Sequence, residues 1–109
     1  MFDALLGSVS RERVLIFIAA RQEGYAREIA RFFATDLTPV QKQLAALEQG
    51  GILASRLVGR TRLYAFDPRY PLLEELKAFL AKAITFYPVE EQDRLLMSRQ
   101  RPRRAGKPL

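Results

Sequence analysis

Thr38-Pro39-Val40-Gln41-Lys42-Gln43-Leu44-Ala45-Ala46-Leu47-Glu48-Gln49-Gly50-Gly51 is the stretch whose reading decides the fold. It reads as a helix punctuated at both ends. The Thr38 hydroxyl is suited to accept a free backbone N–H of the first turn. Pro39 then takes the first helical position, where its missing N–H costs nothing. Gln41, three residues past Thr38, completes a capping box. Asp36 is a rival cap, and a start there puts Pro39 at the third position. Gly50 and Gly51 supply a left-handed exit. Val40, Leu44 and Leu47 recur at helical spacing and form one narrow apolar stripe. Thr38, Gln41, Lys42, Ala45 and Gln49 point away from it. That outward face is small and polar, and suits either solvent or the edges of base pairs.

Upstream, Met1 to Gly7 is a short apolar lead that packs as one turn. Ser8 or Ser10 caps a helix running to about Gln22. Its run from Val14 to Ala20 is apolar almost all the way round, as in a helix at the centre of a core. Gln22-Glu23-Gly24 ends it. Tyr25 to about Ala34 makes a second helix, with Ile29, Phe32 and Phe33 inward and Arg27, Glu28 and Arg31 on the wet side. Ala34 to Leu37 is a short turn into the Thr38 helix. The pair has the spacing of a helix-turn-helix.

Downstream the period changes. Ile52 to Val58 and Thr61 to Asp67 are rich in branched and aromatic residues, with Gly59-Arg60 between them, and read as a β-hairpin. Arg56, Arg60 and Arg62 crowd its tip and one side. Pro71 to Tyr87 reads as a further helix stopped by Pro88. Its apolar face, Leu72, Leu76, Phe79, Leu80, Ala83, Ile84 and Tyr87, covers close to half the circumference. That width predicts a dimer seam in addition to a core contact. Val89 to Met97 adds a short amphipathic segment. Ser98 to Leu109 lacks periodicity and is expected to be a disordered basic tail. The organisation expected is therefore residues 1–87 as one domain and 88–109 as an amphipathic segment and tail.

The chain has 109 residues and a formal net charge of +6. Five of its 18 basic residues fall between Arg99 and Lys107; the rest of the chain carries 13 bases against 12 acids. A basic surface on the folded body is thus a local patch, and the total charge points to a polyanionic partner. Cys and His are both absent. Disulfides, thiolate or imidazole metal sites, and His-based catalysis are excluded. No acidic cluster is spaced for a carboxylate metal site, and no nucleophile–base pair is evident. The expectation is a non-enzyme with no cofactor and no metal. The longest apolar run, Val14 to Ala20, is too short to span a membrane, and the N-terminus lacks a basic region of the secretory kind. A cytoplasmic protein is expected.

Leu5-Leu6-Gly7-Ser8-Val9-Ser10-Arg11-Glu12-Arg13-Val14-Leu15 resembles the leading segment of ArsR-like regulators. Tyr25-Ala26-Arg27-Glu28-Ile29-Ala30-Arg31 is similar to their first helix-turn-helix helix. Val40, Leu44, Leu47, Gly51, Ile52 and Leu53 fall where that family keeps its recognition-helix core and its exit into the wing. Arg56, Gly59, Arg60 and Tyr64 match the wing. The resemblance spans roughly residues 5 to 87 and rests on the order and spacing of motifs that are individually weak. Asp67-Pro68-Arg69-Tyr70-Pro71 with Leu72-Leu73-Glu74-Glu75-Leu76-Lys77 is similar to winged helices found beside small nucleotidyltransferase domains, though no such domain is expected here. The resemblance implies a mainly α fold with a small β-hairpin. The implied architecture is a winged helix-turn-helix: a three-helix core, a two-stranded wing and a C-terminal dimerisation helix.

Two departures bear on function. Metal sensing in that family uses Cys, His or paired acids, and the first two are missing here. Pro39 also stands where relatives carry a hydroxylated residue that touches DNA. The reading is a homodimeric regulator that binds double-stranded DNA. Thr38, Gln41, Lys42 and Ala45 would face the major groove, with Gln41 the adenine reader and Lys42 reaching a guanine or a phosphate. Arg27 and Arg31 would lie over phosphates. Arg56, Arg60 and Arg62 would bring the wing to the backbone or minor groove. Arg101 to Pro108 resembles an AT-hook without its central Arg-Gly-Arg and would add phosphate contacts. The alternative is an interaction module that docks a protein partner through the wide helix and does not read DNA.

Overall fold

The computed structural model describes residues 1–96; the basic tail, with its AT-hook-like stretch, lies outside the described residues. The elements are α1 (Asp3–Leu6), α2 (Val9–Arg21), α3 (Ala26–Phe32), α4 (Leu37–Gln49), β1 (Leu53–Val58), β2 (Thr61–Phe66) and α5 (Leu73–Ile84). Residues 89–96 form a last helix, α6.

The centre is α2. Ser8 caps it, its Oγ accepting the Arg11 N–H at 3.0 Å. Val14, Ile16, Phe17 and Ile18 are fully buried. A helix that is apolar all round must be surrounded, and α1, α3, α4, α5 and β2 all pack on it. From α4 come Val40, Leu44 and Leu47, from α5 Leu80 and Ala83, and from α6 Leu95, which has no exposure.

The helix-turn-helix is α3 and α4. A capping contact opens α3, where Glu28 accepts the Tyr25 N–H at 3.4 Å. It closes on Ala34, which takes the left-handed conformation (φ +52°) without being glycine. Two backbone bonds fix that turn, Ala34 N–H to the Arg31 carbonyl and Thr35 N–H to the Ala30 carbonyl. This is the Schellman closure.

The chain then enters α4 two residues earlier than Thr38 predicts. Asp36 is the extended capping residue, without a side-chain cap bond, and Leu37 is the first helical residue. Thr38 is therefore inside the helix and does not cap it. Pro39 occupies the third helical position, still among the first four N–H positions that lack an intrahelical acceptor. At the far end Gly51 (φ +83°) makes the left-handed exit, while Gly50 stays right-handed (φ −80°).

The hairpin pairs Val58 with Thr61 across Gly59-Arg60 and runs back to Leu53 with Phe66. A third strand position is added by Gly24, which exchanges two backbone hydrogen bonds with Tyr64, at 3.0 and 2.8 Å. Gly24 does not end α2; Gln22 does, at φ +78°. Gly24 is needed for close approach, since a Cβ there would lie 2.8 Å from Phe17 Cε1.

The last long helix is shorter than the apolar pattern predicts. Asp67 holds a turn first: its carboxylate accepts the Arg69 N–H at 2.9 Å and pairs with Arg69 Nη2 at 3.1 Å. Tyr70 N–H then bonds the Asp67 carbonyl and Leu73 N–H the Tyr70 carbonyl. So α5 starts at Leu73, and Leu72 precedes it, exposed. After Ile84, three successive bonds to carbonyls three residues back tighten residues 85–87 out of the α-helix.

Replacing Gly24 with Ala is expected to cost about 1–3 kcal/mol, because a fully buried ring must move. Urea unfolding checks this, and an unchanged midpoint would count against the close approach. Asp67 supplies a pH dependence. The Arg69 hydrogen bonds hold its carboxyl below the usual carboxylate range. A lowered folded pKa gives stability that is present above the ordinary carboxyl pKa and is lost as the pH falls through the lowered one. Asp67→Asn should therefore flatten the acid limb of the stability–pH curve, measured by thermal melts between about pH 6 and 2.

Candidate nucleic-acid interface

Helix α4 carries its apolar stripe inward and leaves Thr38, Gln41, Lys42 and Ala45 exposed. Arg27 and Arg31, one turn apart on α3, are exposed too, as are Arg60 and Arg62 in the wing. Among the described residues, no ion pair engages Arg27, Arg31, Lys42, Arg60 or Arg62. Glu28, next to Arg27 on the wet side of α3, lies 3.8 Å from Arg21.

A groove of about 410 Å³ runs between the start of α3, the middle of α4 and the wing. Arg27, Gln41, Arg60 and Arg62 line it together with Tyr25, Ala26, Leu44, Thr61 and Tyr64. Three guanidinium groups and one amide thus converge on a single concave face, and its lining contains no acid. The wing tip and the α4 helix share that face. Thr38, Lys42, Ala45 and Arg31 lie outside the groove lining, on the exposed surfaces of α4 and α3.

The wing arginines do not act as one cluster. Because Val58 pairs with Thr61, Arg56 stands opposite Leu63 while Arg62 stands opposite Leu57. Alternation then sends Arg56 and Arg62 to opposite faces of the hairpin. Arg56 is paired at 3.1 Å with Glu23, from the turn after α2. The expectation that Arg56 joins Arg60 and Arg62 on one side is thus corrected by the register.

On the other face a small relay ties the wing to α4. Arg62 Nη1 donates to Ser55 Oγ at 2.9 Å, and Ser55 Oγ donates to Glu48 Oε2 at 2.7 Å. Tyr64, beside it, has its hydroxyl pKa raised by burial and then by the Glu48 charge. It stays a neutral groove wall. Tyr25, Tyr64, Ser55 and Glu48 were not among the residues singled out from sequence as contacts. The parity of the hairpin register would have found Ser55 and Tyr64, which pair across the strands on the Arg62 face. Helix α4 is also held at its base, where Arg11 Nε donates to Gln43 Oε1 at 2.8 Å.

The proposed seam on α5 divides. Leu80 and Ala83 are buried in the domain's own core. Leu76, Phe79, Ile84 and Tyr87 are half-buried, and Leu72 is exposed. Phe79 meets the Phe2 ring edge-on at 6.0 Å, and Phe2 also touches the rings of Phe86 and Tyr87. Around that aromatic cluster Leu5 (71%) and Phe86 (59%) face solvent. Neither belongs to the stripe read from sequence.

A larger cleft of about 840 Å³, between α2, β2, α5 and α6, is mainly apolar, and Lys77 is the one cation that lines it among the described residues. It holds none of the expected nucleic-acid contacts. Among the described residues no three acidic side chains converge as metal ligands, and no helix is long and apolar enough to cross a membrane.

The fold is a winged helix-turn-helix, with α3 and α4 as the paired helices and β1–β2 as the wing. No protein-family profile and no curated sequence matches the chain. Solved structures do. Reduced HlyU from Vibrio cholerae N16961 superposes with a TM-score of 0.60 at 18% identity, over 77% of this chain and 82% of that one. A doubly substituted Lactococcus lactis ZitR in its apo form gives 0.55 at 18%, over 99% and 87%. A singly substituted form of the same ZitR gives 0.54 at 17%, over 94% and 75%.

Proposed function

We propose that this chain is a transcription regulator of the ArsR-like winged-helix kind that binds double-stranded DNA as a homodimer. The observation that carries the reading is the acid-free groove in which Arg27, Gln41, Arg60 and Arg62 meet between helix and wing. Its likeness in fold to HlyU and ZitR, winged-helix transcriptional regulators, supports the same class. On this reading α4 enters the major groove with Thr38, Gln41, Lys42 and Ala45 toward the bases. Gln41 reads adenine through its amide, and Lys42 takes a guanine or a phosphate. Arg27 and Arg31 hold the backbone, and Arg60 and Arg62 bring the wing to the backbone or minor groove. Arg56, tied to Glu23, positions the wing instead of leading the contact. Binding DNA needs no cofactor, and no step here calls for an enzyme's acid–base pair.

The patch around Phe2 supports dimerisation. Leu5 and Phe86 are large apolar side chains held open near half-buried Phe79, and Leu72 is exposed at the start of α5. A self-complementary patch of that kind suits a two-fold interface. The two α4 helices would then meet half-sites about 34 Å apart, one helical turn.

Fluorescence anisotropy with a mixed-sequence duplex tests the DNA reading. A dimer that covers about six to ten phosphates should lose roughly 10³-fold or more in affinity between 50 and 200 mM salt. Arg60→Ala with Arg62→Ala should weaken binding to every sequence and flatten the salt slope. Gln41→Ala should instead change preference, by about 1–3 kcal/mol at one base pair. Absence of binding at low salt would end the proposal. For the dimer, Leu5→Lys with Phe86→Lys should halve the mass seen by light scattering while leaving the far-UV spectrum intact. An unchanged mass would move the interface elsewhere.

A further inference from the structure

The wing ends in two large apolar side chains that stand clear of the core. Leu57 is 61% exposed and Val58 52%. Neither belongs to the buried cluster or to the apolar residues packed against it. Leu57 pairs with Arg62 and Val58 with Thr61, and Gly59 (φ +65°) and Arg60 close the turn between them. The tip therefore carries one exposed apolar side chain on each face, Leu57 on the Arg62 face and Val58 on the other, with Arg60 at the turn between them. This differs from the Phe2 patch, where the exposed side chains continue into half-buried rings packed on the core.

An occupant has to satisfy both features. The minor groove of duplex DNA does so, because it carries phosphates along both rims and stacked, largely apolar base edges between them. It is about 6 Å wide. Neighbouring strands of a hairpin lie about 4.8 Å apart, so a tight tip can be admitted where a broad loop cannot. Leucine is one of the side chains that enter between base steps from that side.

We propose that the wing tip is a minor-groove wedge. Leu57, on the Arg62 face, presses into and partly unstacks one base step while Arg60 and Arg62 hold the flanking phosphates, so that the protein bends the duplex it binds. The inference rests on the DNA-binding reading above. The base of the wing is built to take the load. Arg56 is tied to Glu23 at 3.1 Å, and Gly24 is bonded to the Tyr64 backbone, so the hairpin is fastened to the body on the side away from Arg62 and at its outer strand. Such a wedge favours pyrimidine–purine steps, which unstack most readily. Part of the sequence preference then comes from deformability and not from base contacts.

The test uses the full chain and a 30-bp duplex labelled at its two ends with a donor and an acceptor fluorophore, with TA steps spaced along it. The wild-type chain should raise energy transfer on binding, as expected for a bend of roughly 20–90°. Leu57→Thr with Val58→Thr keeps β-forming residues in the hairpin but removes the wedge. That variant should still bind, within about tenfold of wild type, yet leave the duplex straight. Arg60→Ala with Arg62→Ala should lower affinity without abolishing the bend of the duplex that remains bound. Tight wild-type binding to an unbent duplex overturns the wedge alone. Equal bending by the Thr variant does the same. A Thr variant that loses self-association but keeps its bend assigns the tip to a protein contact, and also overturns it. Failure of the wild-type chain to bind any duplex overturns the DNA reading itself and removes the wedge with it.

Discussion

The burial of Val14 to Ala20 within a shell of other elements is the constraint from which the rest of the domain follows. Four of those side chains, Val14, Ile16, Phe17 and Ile18, have no exposure at all. At about 1.5–3 kcal/mol each, they supply on the order of 10 kcal/mol of gross stabilisation. That is comparable to the whole net stability of a small domain. A helix that is apolar on every side cannot sit at the surface, so α1, α3, α4, α5 and β2 are obliged to surround it. This releases α4 from structural duty on its outer face. Its three inward side chains, Val40, Leu44 and Leu47, are enough to dock it. Thr38, Gln41, Lys42 and Ala45 are then free to be chosen for what they touch outside the protein.

A carboxylate is carried into this interior, and it sits at the mouth of the same helix. Glu12 is 3% exposed. A charge there is tolerable only if it is well supplied with donors. It accepts the Phe2 N–H at 2.8 Å, the Tyr87 hydroxyl, and the Met1 amino group at 3.3 Å. Burial and the Glu12 hydrogen bond push the Tyr87 hydroxyl pKa upward, so it remains a donor at any ordinary pH. The consequence is positional. Glu12 ties the first residues of the chain and the segment after α5 to one point on α2. Phe2, Phe79, Phe86 and Tyr87 gather around that point, and their grouping sets which apolar surface is left open to solvent.

Periodicity made the larger elements legible. The switch from helical spacing to alternation after Gly51 located the wing, and the polar face of α4 was readable from its stripe. What escaped was decided by single backbone geometries. Thr38 and Asp36 are both capable caps, and the choice between them turned on the Schellman closure at Ala34, a left-handed residue that carries no glycine signal. Gly24 looked like a helix stop, yet its purpose is room for the Phe17 ring. The width of the α5 stripe predicts a core contact and a seam; Leu80 and Ala83 serve the core, and the exposed apolar side chains are Leu72 from the stripe with Leu5 and Phe86 outside it. Within the groove, Arg27, Gln41, Arg60 and Arg62 are legible as contacts from sequence, while Tyr64 becomes a wall only once the hairpin register is fixed.

The wing shows how a register decides electrostatics. With a two-residue turn after Val58, each even position on β1 faces the same way as an odd position on β2. Arg56 and Arg62 are both even, so they must part. An exposed ion pair such as Arg56–Glu23 contributes only about 0–1 kcal/mol, so its main effect is to aim the hairpin. On the opposite face Ser55 stands between Arg62 and Glu48, accepting from the first and donating to the second. The hydroxyl orients the guanidinium without cancelling it. The hairpin is thereby neutralised where it meets the body and left positive where it meets the groove. A wing with Arg56 and Arg62 on one face would concentrate more charge at its tip but would give up the contact that holds its angle to α4. That angle, more than the number of arginines, determines whether helix and hairpin can address one duplex together.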